Sequence, residues 1–353
     1  MQAQVTAPIR WGIVATGTMA EQFARDLDHV SDTALTAVSS RSMEKAQAFT
    51  ARHGDIAAHA SLDALLADET VDAVYVASPN DTHFTAAKAA IEAGKAVLVE
   101  KPLVLTSAEA DLLASLSAER GTFLMEALWT RFLPAVAHVK QAIDAGAIGA
   151  VRRIRGDLAF HHPFDPESRF YSMERGGGAL LDLGVYGISL ALHLMGEPAE
   201  VHGRWQAVQT GVDASAAVDL RFPGGAEANL SCAIDRDGDN MFVVEGTRGT
   251  LALQPPFIGA RAVLQCDDGA ASRLALARGQ GPGARMARKL ARTLPLPGIR
   301  RHDLPFDGYG LQFEIAAVGE AIRNGWREHP LMPLSDTVRT LEIIESVLAG
   351  RNR

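Results

Sequence analysis

Cysteine is nearly absent: the 353-residue chain has two, Cys232 and Cys266. Neither stands in a paired metal-ligand spacing, so neither a disulfide framework nor a zinc site is expected. An excess of positive charge is missing too. The formal net charge is -8, which argues against nucleic acid as a partner. Residues 1–10 lack an apolar run of the signal-peptide kind. The most apolar long stretch, 179–195, is interrupted by Asp182, Gly184, Tyr186 and His193, and is not expected to span a membrane. No internal repeat or low-complexity segment occurs. What these absences leave is a globular, cytoplasmic protein. Its hydrophobic content of 47% against 22% charged residues can fill the cores of two or three domains.

What is present is organised around Val97-Leu98-Val99-Glu100-Lys101-Pro102-Leu103. A β-branched apolar run reads as a buried strand, and it ends abruptly in an acid, a lysine and a proline. A buried parallel strand presents its chemistry where it ends. Upstream, the strand 9–15 runs into Thr16-Gly17-Thr18-Met19-Ala20 and a helix. A glycine-poor dinucleotide fingerprint fits there, Ala15-x-Gly17-x-x-Ala20, with Gly17 letting backbone approach a pyrophosphate at the helix N-terminus. The strand 35–39 ends in Ser39-Ser40-Arg41-Ser42, without the acid that holds ribose hydroxyls in NAD-binding folds. Ser40 and Arg41 offer a hydroxyl and a fixed cation that suit a 2′-phosphate, which favours NADP(H) over NAD(H). The same residues also suit a helix cap, and the two roles are compatible.

The strand 73–77 breaks at Ser78-Pro79-Asn80-Asp81-Thr82-His83 and is followed by a helix. Strand and helix alternate up to the strand 122–126, which predicts a doubly wound parallel sheet. Ser78, Asn80, Glu100 and Lys101 then lie at strand ends along one edge, with His83 nearby in the first turn of its helix. Trp129 and Arg131 follow the last strand, either as an exposed aromatic and cation for a ligand ring or as a core plug with a surface ion pair.

Past Pro134 the pattern changes. A helix over 134–145 precedes a strand over 151–160 ending at Phe160. His161 and His162 near Asp165 lack a third ligand at suitable spacing, so no metal is expected. Gly176-Gly177-Gly178 opens a helix in which Asp182 and Tyr186, four apart, share a face and serve either packing or chemistry. From 199 to about 304, strand-like runs separated by glycine turns predict a largely antiparallel sheet. Within this region, 273–301 carries eight Arg or Lys and no acid and reads as a loop excursion. Helices are expected over 311–323 and 335–348.

Taken together, 12–20, Ser40-Arg41, 78–83, Glu100-Lys101-Pro102 and the glycine-rich segment with Asp182 and Tyr186 resemble the Gfo/Idh/MocA oxidoreductase family over nearly the whole chain. Glu126-Ala127-Leu128-Trp129-Thr130-Arg131-Phe132 and the tyrosine at 186 are most similar to the branch of dimeric dihydrodiol dehydrogenase, NADP-dependent xylose dehydrogenase and glucose-fructose oxidoreductase. The resemblance implies an α/β protein with a Rossmann domain over 1–127. It implies a substrate-binding and oligomerisation α/β domain with an open, largely antiparallel sheet over 128–353. A cis Lys101-Pro102 bond, a nicotinamide between the domains and a homodimer or higher homo-oligomer follow by the same analogy.

The activity implied is hydride transfer between NADP(H) and a carbinol or carbonyl of a sugar, sugar derivative, polyol or cyclic diol. Lys101, Tyr186 and Asp182 are the expected catalytic residues. Ala15, Gly17, Thr18, Met19, Ser40, Arg41, Ser78, Pro79, Asn80, His83, Glu100, Lys101, Trp129 and Arg131 are the expected cofactor residues. His83, Trp129, Phe160 and Tyr186 are expected to meet the substrate. The alternatives are a non-catalytic dinucleotide-binding regulator of the same fold and a ketosugar-nucleotide reductase.

Overall fold

Five of the six residues of Ile9–Val14 (β1) are buried, as a strand covered on both faces requires. It pairs in parallel with Thr33–Ser39 (β2) on one side and Ala73–Val76 (β4) on the other. Ala57–His59 (β3), Ala96–Glu100 (β5) and Leu124–Ala127 (β6) complete a six-stranded sheet of order β3-β2-β1-β4-β5-β6 with every pairing parallel. The computed structural model describes residues 7–267 and 297–350, with 276, 281–283 and 286. The three-residue β3 went unread in the sequence because it is too short to show a period.

The helices between these strands are Thr18–Leu27 (α1), Met43–His53 (α2), Leu62–Leu66 (α3), His83–Glu92 (α4) and Ser107–Arg120 (α5). Ser42, Ser61 and Thr106 cap α2, α3 and α5 by accepting backbone N–H groups of Lys45, Ala64 and Glu109. The order of strands reverses between β1 and β4. At such a switch point the loops leaving adjacent strands diverge and open a crevice at the strand ends.

The chain divides into two units, Met1–Trp129 with Asp307–Arg339, and Thr130–Phe306 with Thr340–Arg353. The division after residue 127 therefore needs correction: 307–339 groups with the Rossmann unit. Its helix Leu311–Arg323 (α8) is tied there by Asp26, which is fully buried and accepts the backbone N–H groups of Tyr309, Gly310 and Leu311. Thr337, at the start of Leu334–Ala349 (α9), donates to Glu126 at 2.9 Å.

The second unit contains Pro134–Asp144 (α6), Val151–Ala159 (β7) and Val185–Met195 (α7). Its other strands are Glu200–Ala207 (β8), Asp213–Arg221 (β9), Glu227–Ala233 (β10), Phe242–Gly246 (β11), Gly249–Leu253 (β12), Ala262–Asp267 (β13) and Ile299–Asp303 (β14). They form one sheet of order β14-β13-β12-β11-β7-β10-β9-β8, antiparallel except for the β7–β10 pair. The predicted largely antiparallel sheet is thus present. The basic stretch 273–301 lies mostly outside the described residues; its last three residues belong to β14 rather than to a loop. Met173–Met195 is long and apolar enough to cross a membrane, and 78% of its most apolar window is buried inside the protein.

Candidate active site

The strand ends of β1, β2 and β4 open a cleft of about 790 Å³ within the first unit. Ala15, Gly17, Ser40, Arg41, Ser78 and Pro79, six of the expected cofactor residues, line it. Ala15 adopts φ +87°, a conformation that glycine takes without strain and alanine does not. Its N–H donates to Ser39 O at 2.9 Å, so the turn is closed by backbone. Gly17 is the N-cap of α1 and no side chain accepts from the helix's first N–H groups. A Cβ at Gly17 would point into open space, so the N-terminus of α1 is accessible to an anion. Ala20 is fully buried, as close helix–sheet packing requires. Thr18 is exposed in the first turn of α1 and Met19 is half-buried behind it.

At the end of β2 the cap and the candidate phosphate contact are divided between neighbours. Ser42 caps α2, while the exposed Arg41 stands at the cleft. Two further cations line the same cleft and were not read from the sequence, Lys45 and Arg52. With Ala48 they recur at helical spacing along one face of α2, which is the signal that could have found them. Arg52 is fixed by Glu21 of α1, whose other carboxylate oxygen meets His53 Nε2 at 2.8 Å. These hydrogen bonds hold the Glu21 carboxyl below its usual range against the opposing effect of burial. The donor set suits a dinucleotide phosphate, with a backbone nest, a helix N-terminus and cations at the β2 end.

Lys101 follows β5 and is held by its neighbours. Its N–H donates to Glu100 Oε2 at 3.2 Å, and the Leu103 N–H donates to Glu126 Oε1 at 3.0 Å. The Lys101-Pro102 bond is cis, as the resemblance implied. His83 packs beneath this segment, with Nδ1 2.9 Å from Pro102 O and Nε2 2.8 Å from Ser78 O. It is 0% exposed, and burial pushes its pKa down. His83 is therefore not a surface residue available to cofactor or substrate; it ties the Ser78 strand end to the Lys101 segment. Glu100 is likewise buried, and burial raises its carboxyl to about 7 against the pull of the Tyr75 hydroxyl and Lys101. Asn80 opens the short 3-10 turn Asn80–Thr82 and is half-buried; Trp129 is half-buried at the end of this unit.

In the second unit the glycine-rich segment leads into a π-helical turn, Leu180–Gly184, before α7 begins. Asp182 sits in that wider turn and Tyr186 in the α-helix, so the simple four-residue α spacing expected from sequence does not describe them. Both are buried, at 6% and 2% exposure. Asp213 anchors the turn: it accepts the Leu180 N–H at 2.7 Å, and burial lifts its carboxyl to about 7. Gly178, at φ +118°, leaves room for it, because a Cβ there would lie 2.1 Å from Asp213 Oδ1. Arg169 donates to Asp182 Oδ1 at 3.3 Å and lies 4.0 Å over the Phe170 ring. Phe170 in turn stacks on His162 at 3.7 Å. Phe160 is half-buried just past β7.

Arg131 needs correction as a cofactor ligand. It is 1% exposed, and its Nε and a terminal nitrogen donate to Ser189 Oγ at 2.8 Å and Ser189 O at 2.6 Å. Neither reading made from the sequence, an exposed ligand contact or a surface ion pair, describes it. Among the described residues, no group of three or more His, Cys, Asp or Glu side chains is placed to hold a metal ion.

Comparison with known proteins agrees with this architecture. Residues 9–128 match the family profile described as an oxidoreductase family with an NAD-binding Rossmann fold, and residues 136–252 match the GFO/IDH/MocA C-terminal domain. Trans-1,2-dihydrobenzene-1,2-diol dehydrogenase of Homo sapiens is 30% identical over 344 residues, 96% of each chain, and that of Bos taurus is 29% identical over the same span. KijD10, a 3-ketoreductase from Actinomadura kijaniata solved with NADP and TDP-benzene, is 26% identical with a TM-score of 0.79 and 98% of each chain covered. Aldose-aldose oxidoreductase from Caulobacter crescentus shares the fold, with a TM-score of 0.82 at 23% identity over 97% of each chain. The cleft at the β1–β4 switch, the Glu100-Lys101-Pro102 turn and the open second sheet are thus the parts of a member of the Gfo/Idh/MocA oxidoreductase family.

Proposed function

We propose that the chain is a cytoplasmic, homo-oligomeric NADP(H)-dependent oxidoreductase acting on a CH–OH group of a sugar, sugar derivative, polyol or cyclic diol. The observation that carries the cofactor choice is the β2 end, where Ser40 and Arg41 stand at the cleft and the strand end itself has no acid; the acid in the cleft lining, Asp81, follows β4. A guanidinium there attracts a 2′-phosphate, whereas an acid would repel it. Ala15, Gly17 and the α1 N-terminus would hold the pyrophosphate, with Ser78 and Pro79 beside it in the cleft lining. When bound, the nicotinamide supplies the hydride acceptor or donor.

The chain's own residues handle the proton. In this reading Tyr186 takes the carbinol proton during oxidation and returns it during reduction. An unperturbed phenol ionises near pH ~10, so transfer at neutral pH needs a positive charge to favour the phenolate. Lys101 supplies that charge and donates to the substrate oxygen as negative charge develops on it. Asp182 orients Lys101 or the substrate, and Phe160 and Trp129 meet the substrate.

The test is a titration with NADPH and NADH followed by nucleotide fluorescence, then a panel of aldoses, ketoses and cyclic diols. The likeness to a 3-ketoreductase solved with TDP-benzene adds a nucleotide-linked ketosugar to that panel. Tighter NADPH binding with turnover of a panel member supports the reading. NADH preference overturns the role given to Arg41. Tight binding with no turnover favours a non-catalytic regulator.

A further inference from the structure

The backbone of Lys101 is joined to a column of packed rings. Trp11 of β1 meets Phe23 of α1 edge to face, with centroids 5.1 Å apart at 70°. Phe23 stacks on Tyr75 of β4 at 3.8 Å and 12°. All three rings are 0% exposed, so packing fixes where the Tyr75 hydroxyl can be. That hydroxyl donates to Glu100 Oε1, and Glu100 Oε2 accepts the Lys101 N–H. One carboxyl therefore connects a ring that cannot turn to the residue that carries the proposed chemistry.

The same carboxyl stands among opposing charges. Lys101 and the Tyr75 hydroxyl favour its ionised form; burial and Glu126 of β6 disfavour it. Glu314 of α8 is a further acid facing this group. It is fully buried, neither carboxyl oxygen has a hydrogen-bond partner, and it faces Glu100, Asp26 and Glu126. Burial and these acids keep Glu314 protonated, well above the usual carboxylate range. Glu100 is the member of the group left near balance, at about 7.

We infer that Tyr75 is a positioning residue for Lys101: by donating to Glu100 it holds that carboxyl in the charged form that anchors the Lys101 backbone and balances its ammonium. This rests on the reading of Lys101 as a catalytic group. A phenyl ring at 75 would keep the column packed and remove only the donor, so Tyr75→Phe isolates the hydrogen bond from the packing.

Reductive ¹³C-methylation gives Lys101 its own NMR signal, assigned by its loss in Lys101→Met. In the unsubstituted protein the expected result is an inflection of that signal near pH 7 as Glu100 titrates. In Tyr75→Phe the inflection moves up by about one pH unit, the equivalent of one hydrogen bond to a charged group. In Glu100→Gln it disappears. The acid limb of kcat/KM moves with it, while the affinity for NADPH does not change. An inflection or a limb that stays in place in Tyr75→Phe, with near-UV circular dichroism intact, overturns the inference. Undiminished turnover in Lys101→Met is a different result: it removes Lys101 from catalysis, while the NMR inflection still reports whether Tyr75 controls Glu100.

Discussion

The Asp26 carboxylate accepts the Leu311 N–H at 2.9 Å, across 285 positions of sequence. It accepts the N–H groups of Tyr309 and Gly310 as well, so one buried acid satisfies the chain entering α8. No N-cap side chain does that work, because position 310 is glycine. Asp26→Ala would take this acceptor from the Tyr309 and Leu311 N–H groups, while the Gly310 N–H keeps Gln312 Oε1 at 2.9 Å, and should cost about 2–4 kcal/mol in urea unfolding. Asp26→Asn retains one acceptor oxygen and should cost less. Equal stability of Asp26→Ala and the parent would show that these bonds contribute nothing net.

Removing the Tyr186 hydroxyl should separate chemistry from binding. In Tyr186→Phe, kcat is expected to fall by about 10²–10⁴-fold, the usual worth of a general acid–base group. NADPH affinity should stay within about twofold, since no part of the β1–β4 cleft is touched. Single-turnover kinetics make the comparison, and near-parental turnover would remove Tyr186 from the role.

Arg41 should set cofactor choice. Losing a charge-assisted contact to a phosphate costs about 1.5–3 kcal/mol, or roughly 10–100-fold in affinity. Arg41→Ala should therefore weaken NADPH binding by that factor and leave NADH almost unaffected. The loss should shrink as salt is raised, because the contact is exposed. An equal change for both nucleotides would mean that Arg41 does not read the 2′-phosphate.

The Asp213 carboxyl gives a pH signature. Its folded pKa, about 7, lies above the ordinary value of 3.8. The folded state therefore binds the proton more tightly than the unfolded one. The associated stability is complete below about pH 4 and is lost as pH rises through 7. Glu100 and Glu314, also raised, tilt stability the same way. Asp213→Asn keeps an acceptor for the Leu180 N–H without the titration. Its unfolding free energy should fall less steeply than the parent's between pH 5 and 8 in parallel urea titrations. Identical slopes would place the proton elsewhere.

The parts of this protein that were legible in sequence are those governed by local pattern. Apolar runs ending at Val14, Ser39, Val76 and Glu100 announce buried parallel strands, and a parallel sheet fixes where its ligand edge lies. What could not be read depends on partners distant in the chain. His83 looks exposed in the first turn of its helix, but Pro102 folds over it from 19 residues away. Arg131 looks like a ligand contact, but its guanidinium is taken by Ser189, 58 residues on. Asp213 opens a strand and resembles a surface acid; only the π-turn at 180 shows why an acceptor is needed there. The sequence places Asp182 on an α-helical face, because nothing in Leu-Leu-Asp-Leu-Gly signals a wider turn.

The first unit is assembled from two separated pieces of chain, and this matters during synthesis. Residues 130–306 leave the ribosome between Trp129 and Asp307. At about 5–20 residues per second, the β1–β6 sheet waits roughly 10–35 s before α8 is made. Throughout that interval Asp26 lacks its backbone donors and Glu126 lacks Thr337. The nascent sheet then carries two acids without the partners they have in the folded protein, and helix α1 without the helix that packs on it, so the first unit is completed only after the second has been made.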